Sequence, residues 1–201
     1  TPATLRDALG RAPSPVAAVA PVHMAGQSVD MNEVGAIARA GGARIVEDAC
    51  HALGGRDAEG HAVGSGTTAD AAIFSLHPVK VIAAGEGGVV TTADADIANA
   101  VRQFRNHGMT REKFTDLNQA KAADGLDNPW YYEMIEPGLN YRLSDIHAAL
   151  ASSQLKKLDQ FVARRQALVA RYDAALAALP LRLAAHVRPC GRVASGTPAW
   201  H

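Results

Sequence analysis

Short apolar runs recur along the first half of the chain, and polar, glycine-containing stretches separate them. The runs occupy residues 16–22, 44–49 and 70–75, and a shorter one occupies residues 89–92. Their length and the turn residues that flank them predict buried strands rather than long helices.

Helical periodicity fills the interval between the first two predicted strands. Asp30 precedes Glu33 by three residues, which is the spacing of a capping box, and Gly41 and Gly42 mark the end of the helix. A strand, a helix and a second strand in this order form a unit with parallel strands and a right-handed crossover. The predicted fold class is therefore α/β, with three layers and a mainly parallel sheet.

The second half of the chain has a different pattern. A helix is predicted from Asp94 or Asp96 to about His107. Residues 108–138 show little periodicity, and irregular segments of that length are commonly functional lids or disordered. Over residues 144–180 apolar side chains recur at helical spacing, which predicts one long amphipathic helix.

Composition narrows the class of protein. The 201 residues are 48% apolar and 20% charged, and 20 basic residues balance 20 acidic ones, so no net charge attracts nucleic acid or an acidic membrane. The two cysteines, Cys50 and Cys190, stand far apart, which fits a reducing cytoplasm better than a disulfide framework. No stretch approaches the ~20 apolar residues of a membrane span. We therefore expect a cytoplasmic protein that binds neither nucleic acid nor a membrane.

Candidate chemical groups stand where the predicted strands end. Asp48 and His51 follow the second strand. Ser75 closes the third strand, and Lys80 lies five residues further on. Parallel sheets bind ligands at the carboxyl ends of their strands, so these side chains are expected at one edge. Pyridoxal phosphate (PLP) requires such a set: a lysine for the Schiff base, an aspartate for the pyridine nitrogen and a hydroxyl for the phosphate.

Each of these residues also has a simpler interpretation. A strand-end aspartate most often caps a helix or a turn, and a lysine is most often a solvated surface residue. Lys80 is less ordinary, because residues 73–90 are mostly apolar and glycine-rich and Glu86 is their only carboxylate. Apolar surroundings favour a reactive lysine. Spacing alone leaves both interpretations open.

Competing motifs are weaker. The glycine-rich segments 64–66 and 85–88 match neither the dinucleotide fingerprint nor the phosphate-loop pattern. Ser75 lacks the Gly-x-Ser-x-Gly elbow of hydrolases. No metal site is expected, because Cys50 and His51 would point to opposite faces of a strand and no other ligand pair has suitable spacing.

Several segments together resemble the DegT/DnrJ/EryC1/StrS family of nucleotide-sugar aminotransferases. The matching segments are residues 21–27, 46–54, 74–80, 85–88, 105–108 and 138–146. Their order and spacing agree along nearly the whole chain. The blocks around residues 129–133 and 161–165 are most similar to the pseudaminic-acid branch of the family.

The resemblance implies a role for each matching residue. Lys80 is implied as the catalytic lysine, which holds PLP and moves the proton, and Asp48 as the partner of the pyridine nitrogen. His51 is implied beside the ring, and Ser75 on the phosphate. Asn140 is implied to reach the phosphate of the neighbouring subunit's cofactor, so a homodimer with shared active sites is expected.

The resemblance also implies a substrate. His23, His77 and Arg142 are implied to contact it. The implied reaction transfers an amino group from L-glutamate to C4 of a UDP-linked 4-keto-6-deoxy-N-acetylhexosamine. A PLP-dependent sugar dehydratase is disfavoured, because such relatives carry histidine in place of the lysine. A non-catalytic module on the same scaffold, or a fragment that cannot turn over alone, stays open.

Family members are nearly twice as long as this chain, so we expect a piece of a longer protein. Residues 1–143 are expected to be the PLP-binding large domain of fold type I without its N-terminal part. Residues 144–180 are expected to be the long helix, and residues 181–201 the start of a truncated small domain.

Overall fold

A computed structural model describes residues 1–112 and 114–181. The chain divides into two compact units. The first unit comprises residues 1–93 and everything from Ser144 onward, and the second comprises residues 94–143. The predicted small domain lies almost entirely outside the described residues, so the three-part division stays a prediction.

A four-stranded sheet is the centre of the first unit. Its strands, in spatial and chain order, are β1 (Ala18–Val19), β2 (Arg44–Asp48), β3 (Ala71–Ser75) and β4 (Gly88–Thr91). β1, β2 and β3 are parallel, whereas β4 runs antiparallel to β3. The predicted α/β class with a mainly parallel sheet is confirmed.

Two helices accompany the first strands. They are α1 (Pro2–Arg11) and α2 (Met31–Ala40), and the sequence pattern predicted only α2. The Asp30 carboxylate accepts a hydrogen bond from the Glu33 N–H at 3.0 Å, as the capping-box spacing predicts. Glu33 does not close the box but pairs with Arg6 of α1 at 2.7 Å, so its charge joins the two helices.

The core of the first unit follows the two-residue period of the strands. Buried side chains form one cluster around Ile45 and a second cluster around Phe74. The members of the first are Met31, Ala38, Ala43, Ile45 and Ala69, and those of the second are Ala49, Ala52, Ala72 and Phe74. Many members are alanine, so the backbone segments approach closely and the residues at the strand ends are held firmly.

The long helix predicted for residues 144–180 is two helices, so that prediction is wrong in this respect. α5 spans Asp145–Leu155 and α6 spans Leu158–Leu176, with a turn between them. The break lets the first residues of α6 pack on the segment after β3, where Val162 and Leu158 contact Val81.

The second unit has more structure than its sequence predicts. It begins with α3 (Ala95–Phe104) and contains α4 (Leu117–Ala120). β5 (Met109–Thr110) pairs antiparallel with β6 (Glu133–Met134), so residues 108–138 are not an irregular loop throughout. None of the helices in the described ranges combines the length and apolar composition that a bilayer crossing requires.

Candidate functional site

Asp48 ends β2 and is held there by its main chain. Its carbonyl accepts from the His23 N–H at 3.0 Å, and its own N–H donates to the Pro21 carbonyl at 2.9 Å. Its carboxylate accepts from the Cys50 N–H at 3.1 Å. Partial burial raises the pKa of Asp48, but the hydrogen bonds from Cys50 and the nearby His51 outweigh it, so the pKa lies below its ordinary value. Asp48 therefore offers a negative charge at the strand end.

Ser75 and Lys80 reach the same edge of the sheet through β3. Asp48 pairs with Ile73 in the parallel register, so Ser75 lies two residues beyond that point. The Ser75 hydroxyl accepts from the His77 N–H at 3.3 Å, and the Lys80 N–H donates to the His77 carbonyl at 2.9 Å. These bonds form a tight turn that brings the half-buried Lys80 back toward the strand end.

The charges of Asp48 and Lys80 act on the Cys50 thiol in opposite directions. Burial raises the pKa of Cys50 to about 11, the Asp48 carboxylate adds to that rise, and the positive charge of Lys80 opposes it. Within the part of the chain that the structure describes, Lys80 forms no ion pair, so its amine is not tied up by a carboxylate.

His51 lies next to the same residues. It is half-buried, and its Nδ1 accepts from the Ala25 N–H at 3.3 Å. Ala25 has a φ of 54°, a left-handed conformation that non-glycine residues seldom adopt. The loop after β1 is thus bent so that its N–H meets the imidazole.

His23 does not fit the expected contact with substrate. The residue is fully buried at 0% exposure, and both ring nitrogens are engaged inside the protein. Nδ1 accepts from the Val29 N–H at 3.1 Å, and Nε2 lies 3.2 Å from the Glu47 carboxylate. An enclosed and satisfied imidazole has no polar atom to offer a ligand.

His77 is exposed at the turn that carries Lys80. Its Nε2 lies 3.9 Å from the Glu86 carboxylate, and its Nδ1 accepts from the Val79 N–H at 3.4 Å. Glu86 follows Gly85, whose φ of 81° allows the sharp bend there. A polar pair in this position is accessible to a ligand that reaches Lys80 from solvent.

Asn140 and Arg142 belong to the second unit. Both side chains are exposed, and Arg142 donates to the Asn106 side-chain carbonyl at 2.8 Å. The Asn140 main chain forms an antiparallel bridge with Asn106. The structure thus places these two residues together within the second unit.

The glycine-rich loop of residues 54–66 contains a cluster of carboxylate and imidazole groups. This cluster was not predicted from the sequence. Ligand atoms of Asp57, Glu59 and His61 all lie within 4.8 Å of one another. The Asp57 carboxylate accepts from the backbone N–H groups of Glu59 and His61 at 3.0 and 2.7 Å. Closure of a tight exposed turn accounts for this arrangement. The expected lack of a metal site stays a prediction.

The family of this chain follows from its similarity to known proteins. The sequence profile of the DegT/DnrJ/EryC1/StrS aminotransferase family matches residues 1–200. The chain belongs to this family. All segments that carry the resemblance lie within the matched residues.

Solved structures of aminotransferases share the fold with this DegT/DnrJ/EryC1/StrS chain. Helicobacter pylori PseC, an aminotransferase of pseudaminic acid biosynthesis, is 30% identical, with a TM-score of 0.69 over 82% of this chain and 39% of its own. S. venezuelae DesV, solved with a ketimine intermediate, is 31% identical, with a TM-score of 0.77 over 100% of this chain and 46% of its own. DesI, solved with its TDP-sugar product, is 29% identical, with a TM-score of 0.69 over 90% of this chain and 40% of its own. This chain therefore spans less than half the length of these proteins.

Members of the DegT/DnrJ/EryC1/StrS family use PLP, and the residues of the first unit fit that cofactor. The fit rests on the chemistry of the groups present. Asp48 has a lowered pKa, Lys80 forms no ion pair in the described ranges, and Ser75 presents a hydroxyl at the adjacent strand end. Their individual assignments to atoms of the cofactor stay predictions.

Proposed function

We propose that this chain is the cofactor-binding part of an aminotransferase that aminates C4 of a UDP-linked 4-keto-6-deoxy-N-acetylhexosamine. L-Glutamate is the proposed amino donor. The observation that carries the proposal is the position of Asp48 and Ser75 at the ends of the neighbouring parallel strands β2 and β3, with Lys80 on the turn that follows, in a chain of this family. A carboxylate and an amine in one half-buried place match the two ends of a PLP ring.

The proposed roles follow from the charge and the chemical group of each side chain. PLP supplies an electron sink when it is bound. Asp48, with its lowered pKa, holds a proton on the pyridine nitrogen. Lys80 holds the cofactor covalently and, once released, moves a proton between the two carbons that exchange it. Ser75 donates its hydroxyl to the phosphate, and His51 borders the ring.

The substrate class is supported by two of the similar proteins. The H. pylori protein acts in pseudaminic acid biosynthesis, and DesI was solved with a TDP-sugar product. We assign His77 and Arg142 to substrate contacts, because both side chains are exposed and polar. A pseudaminic-acid or related glycan pathway in the cytoplasm is the proposed setting.

We also propose a homodimer with shared sites. Asn140 is exposed on the second unit, so its amide is accessible to a partner. We assign it to the phosphate of a neighbouring subunit's cofactor.

Covalent trapping tests the cofactor assignment. The chain is incubated with PLP, reduced with borohydride and mapped by peptide mass spectrometry, and a reduced pyridoxyl adduct on Lys80 is expected. Lys80→Ala removes the adduct, whereas Lys156→Ala, in the exposed turn between α5 and α6, leaves it in place.

The outcomes separate three explanations. An adduct on Lys80 of this chain confirms the cofactor role. An adduct that appears only when N- and C-terminal extensions from a longer relative are joined to the chain shows that this piece is incomplete. No adduct in either form would overturn the aminotransferase proposal and leave a non-catalytic scaffold.

The substrate assignment needs a separate assay. Cofactor-loaded protein in the amino form is mixed with UDP-linked and TDP-linked 4-keto sugars, and the return of the aldehyde form is followed by absorbance. The proposal expects faster return with the UDP-linked sugar. Equal or faster return with the TDP-linked sugar would refute the nucleotide assignment without affecting the cofactor assignment.

A further inference from the structure

A buried histidine–glutamate pair lies next to the cofactor residues without belonging to them. The pair is His23 and Glu47, which are 0% and 5% exposed. Glu47 is a buried carboxylate residue on β2, next to the apolar residues Ile45 and Val46. Burial of such groups is costly unless every polar atom is satisfied, so a complete set of partners is expected around them.

Hydrogen bonds complete the pair and define its protonation pattern. The Val29 N–H can only donate, so His23 Nδ1 is an acceptor, and Nε2 carries the ring proton toward Glu47. The Glu47 carboxylate also accepts from the Gly64 N–H at 2.9 Å. Among the described residues, no buried side-chain nitrogen or oxygen lacks a partner. The pair therefore joins three separate backbone segments through one satisfied network.

The network reaches Asp48 through the main chain. Glu47 and Asp48 are neighbours on β2, so their side chains point to opposite faces of the sheet. His23 holds Glu47 with its ring and the Asp48 carbonyl with its N–H at 3.0 Å. A shift of the imidazole would move the peptide that carries Asp48.

We propose that the buried His23–Glu47 pair positions the Asp48 carboxylate. His23 and Glu47 are thus positioning residues, which act on a bound group only through Asp48. The part of this inference that concerns PLP rests on the proposed function, whereas the position of Asp48 does not.

Cys50 provides a reporter that needs no cofactor. The Asp48 carboxylate accepts from Cys50 and contributes to the high thiol pKa, so displacement of Asp48 makes the thiol more reactive. The rate of alkylation by iodoacetamide is measured on the chain carrying Cys190→Ser, so that a single cysteine reacts. Asp48→Asn calibrates the reporter and is expected to raise the rate.

Conservative variants then test the pair. Glu47→Gln keeps the shape and an acceptor but removes the charge, and it is expected to raise the rate about tenfold, within the range of coupling between contacting residues. His23→Asn keeps an acceptor for Val29 and loses the contact with Glu47, whereas His23→Gln keeps a donor for Glu47. His23→Asn is therefore expected to have the larger effect. Glu59→Gln, an exposed substitution in the glycine-rich loop, serves as the matched control.

A double-mutant cycle separates positioning from general loosening. If Glu47 acts through Asp48, Glu47→Gln adds nothing to the rate in an Asp48→Asn background. If it merely loosens the fold, the same factor appears in both backgrounds, and that result would overturn the inference. An unchanged rate in Glu47→Gln and His23→Asn, with a raised rate in Asp48→Asn, would overturn it as well.

A second cycle uses the cofactor as the readout. The Kd for PLP is expected to rise about tenfold in Glu47→Gln, whereas Glu47→Gln is expected to add no further rise to that of Asp48→Asn. Failure to bind PLP both in the unmodified chain and in the chain with N- and C-terminal extensions would count against the proposed function. The alkylation cycle would still decide whether the pair positions Asp48.

Discussion

Asp70 joins three elements of the first unit at the start of β3, and its removal is the clearest test of the fold. Its carboxylate accepts from the Ile45 N–H at 2.7 Å, from Arg39 at 2.9 Å and from Arg44 at 2.8 Å. The side chain is 9% exposed. Asp70→Asn keeps an acceptor for the Ile45 N–H but removes the charge that holds the two arginines.

The size of the effect follows from the pKa of Asp70. Burial raises that pKa, but the hydrogen bonds from Ile45, Arg44 and Arg39 outweigh it and lower it from 3.8 to about 2. Such a difference corresponds to roughly 2 kcal/mol of folding free energy. The arginine side chains are 46% and 66% exposed, so solvent screening reduces this to roughly 1–2 kcal/mol.

The direction of the pKa shift of Asp70 determines how the stability of the fold changes with pH. Because the folded-state pKa of Asp70 is below the unfolded-state value, the stabilisation is fully present above about pH 4 and is lost as the pH falls toward about 2. Urea denaturation at neutral pH should show Asp70→Asn less stable by the stated amount, and the difference should shrink on acidification. Asp7→Asn, which breaks an exposed pair with Arg11, is the control and should cost little. An equal loss for Asp70→Asn at neutral and acidic pH would refute the electrostatic explanation.

Two further predictions concern the loop beside Phe74 and the second unit. Gly64→Ala is expected to destabilise the chain by about 2–4 kcal/mol in thermal or urea unfolding, because φ is 75° and a Cβ would overlap Cζ and Cε2 of the Phe74 ring. Gly60→Ala has a φ of 87° but open space, so a loss as large as that of Gly64→Ala would contradict the steric part of this reasoning. Glu133→Gln is expected to lower the pKa of Tyr131 in a UV titration, since burial and the hydrogen bond to Glu133 at 3.0 Å both raise it. An unchanged Tyr131 titration would show that burial alone sets its pKa.

The elements that were predictable are those that local sequence determines. α2 follows from an N-cap aspartate, an apolar face and two terminal glycines, and all of these signals lie within a dozen residues. β2 and β3 follow from short apolar runs. The apolar run that predicts β4 does not indicate the direction of the strand. In the structure residues 76–87 form a turn without a crossover helix, and such a connection returns the chain antiparallel.

The candidate site also contains residues that local sequence indicates and contacts that local sequence does not indicate. Asp48, Ser75 and Lys80 were found because each stands at or just beyond a strand end, where parallel sheets bind ligands. The contact between His23 and Glu47 spans 24 residues and has no local signal, so it was not predictable from the sequence. Glu47 does not stand out within β2, because Arg44 and Asp48 of the same strand are also charged. The individual site assignments stay predictions, whereas the family and its cofactor are confirmed.

The helices after residue 144 bear directly on the turn that carries Lys80. Val162 of α6 packs on Val81, the residue after the lysine. A Cβ added to Gly85 would lie 3.2 Å from the His147 ring of α5. Both ends of the lysine turn therefore meet side chains more than sixty positions further along the chain. The segment that the sequence predicts as one long amphipathic helix thus supports the turn that positions Lys80. A piece of this protein that ended at residue 143 would lack that support.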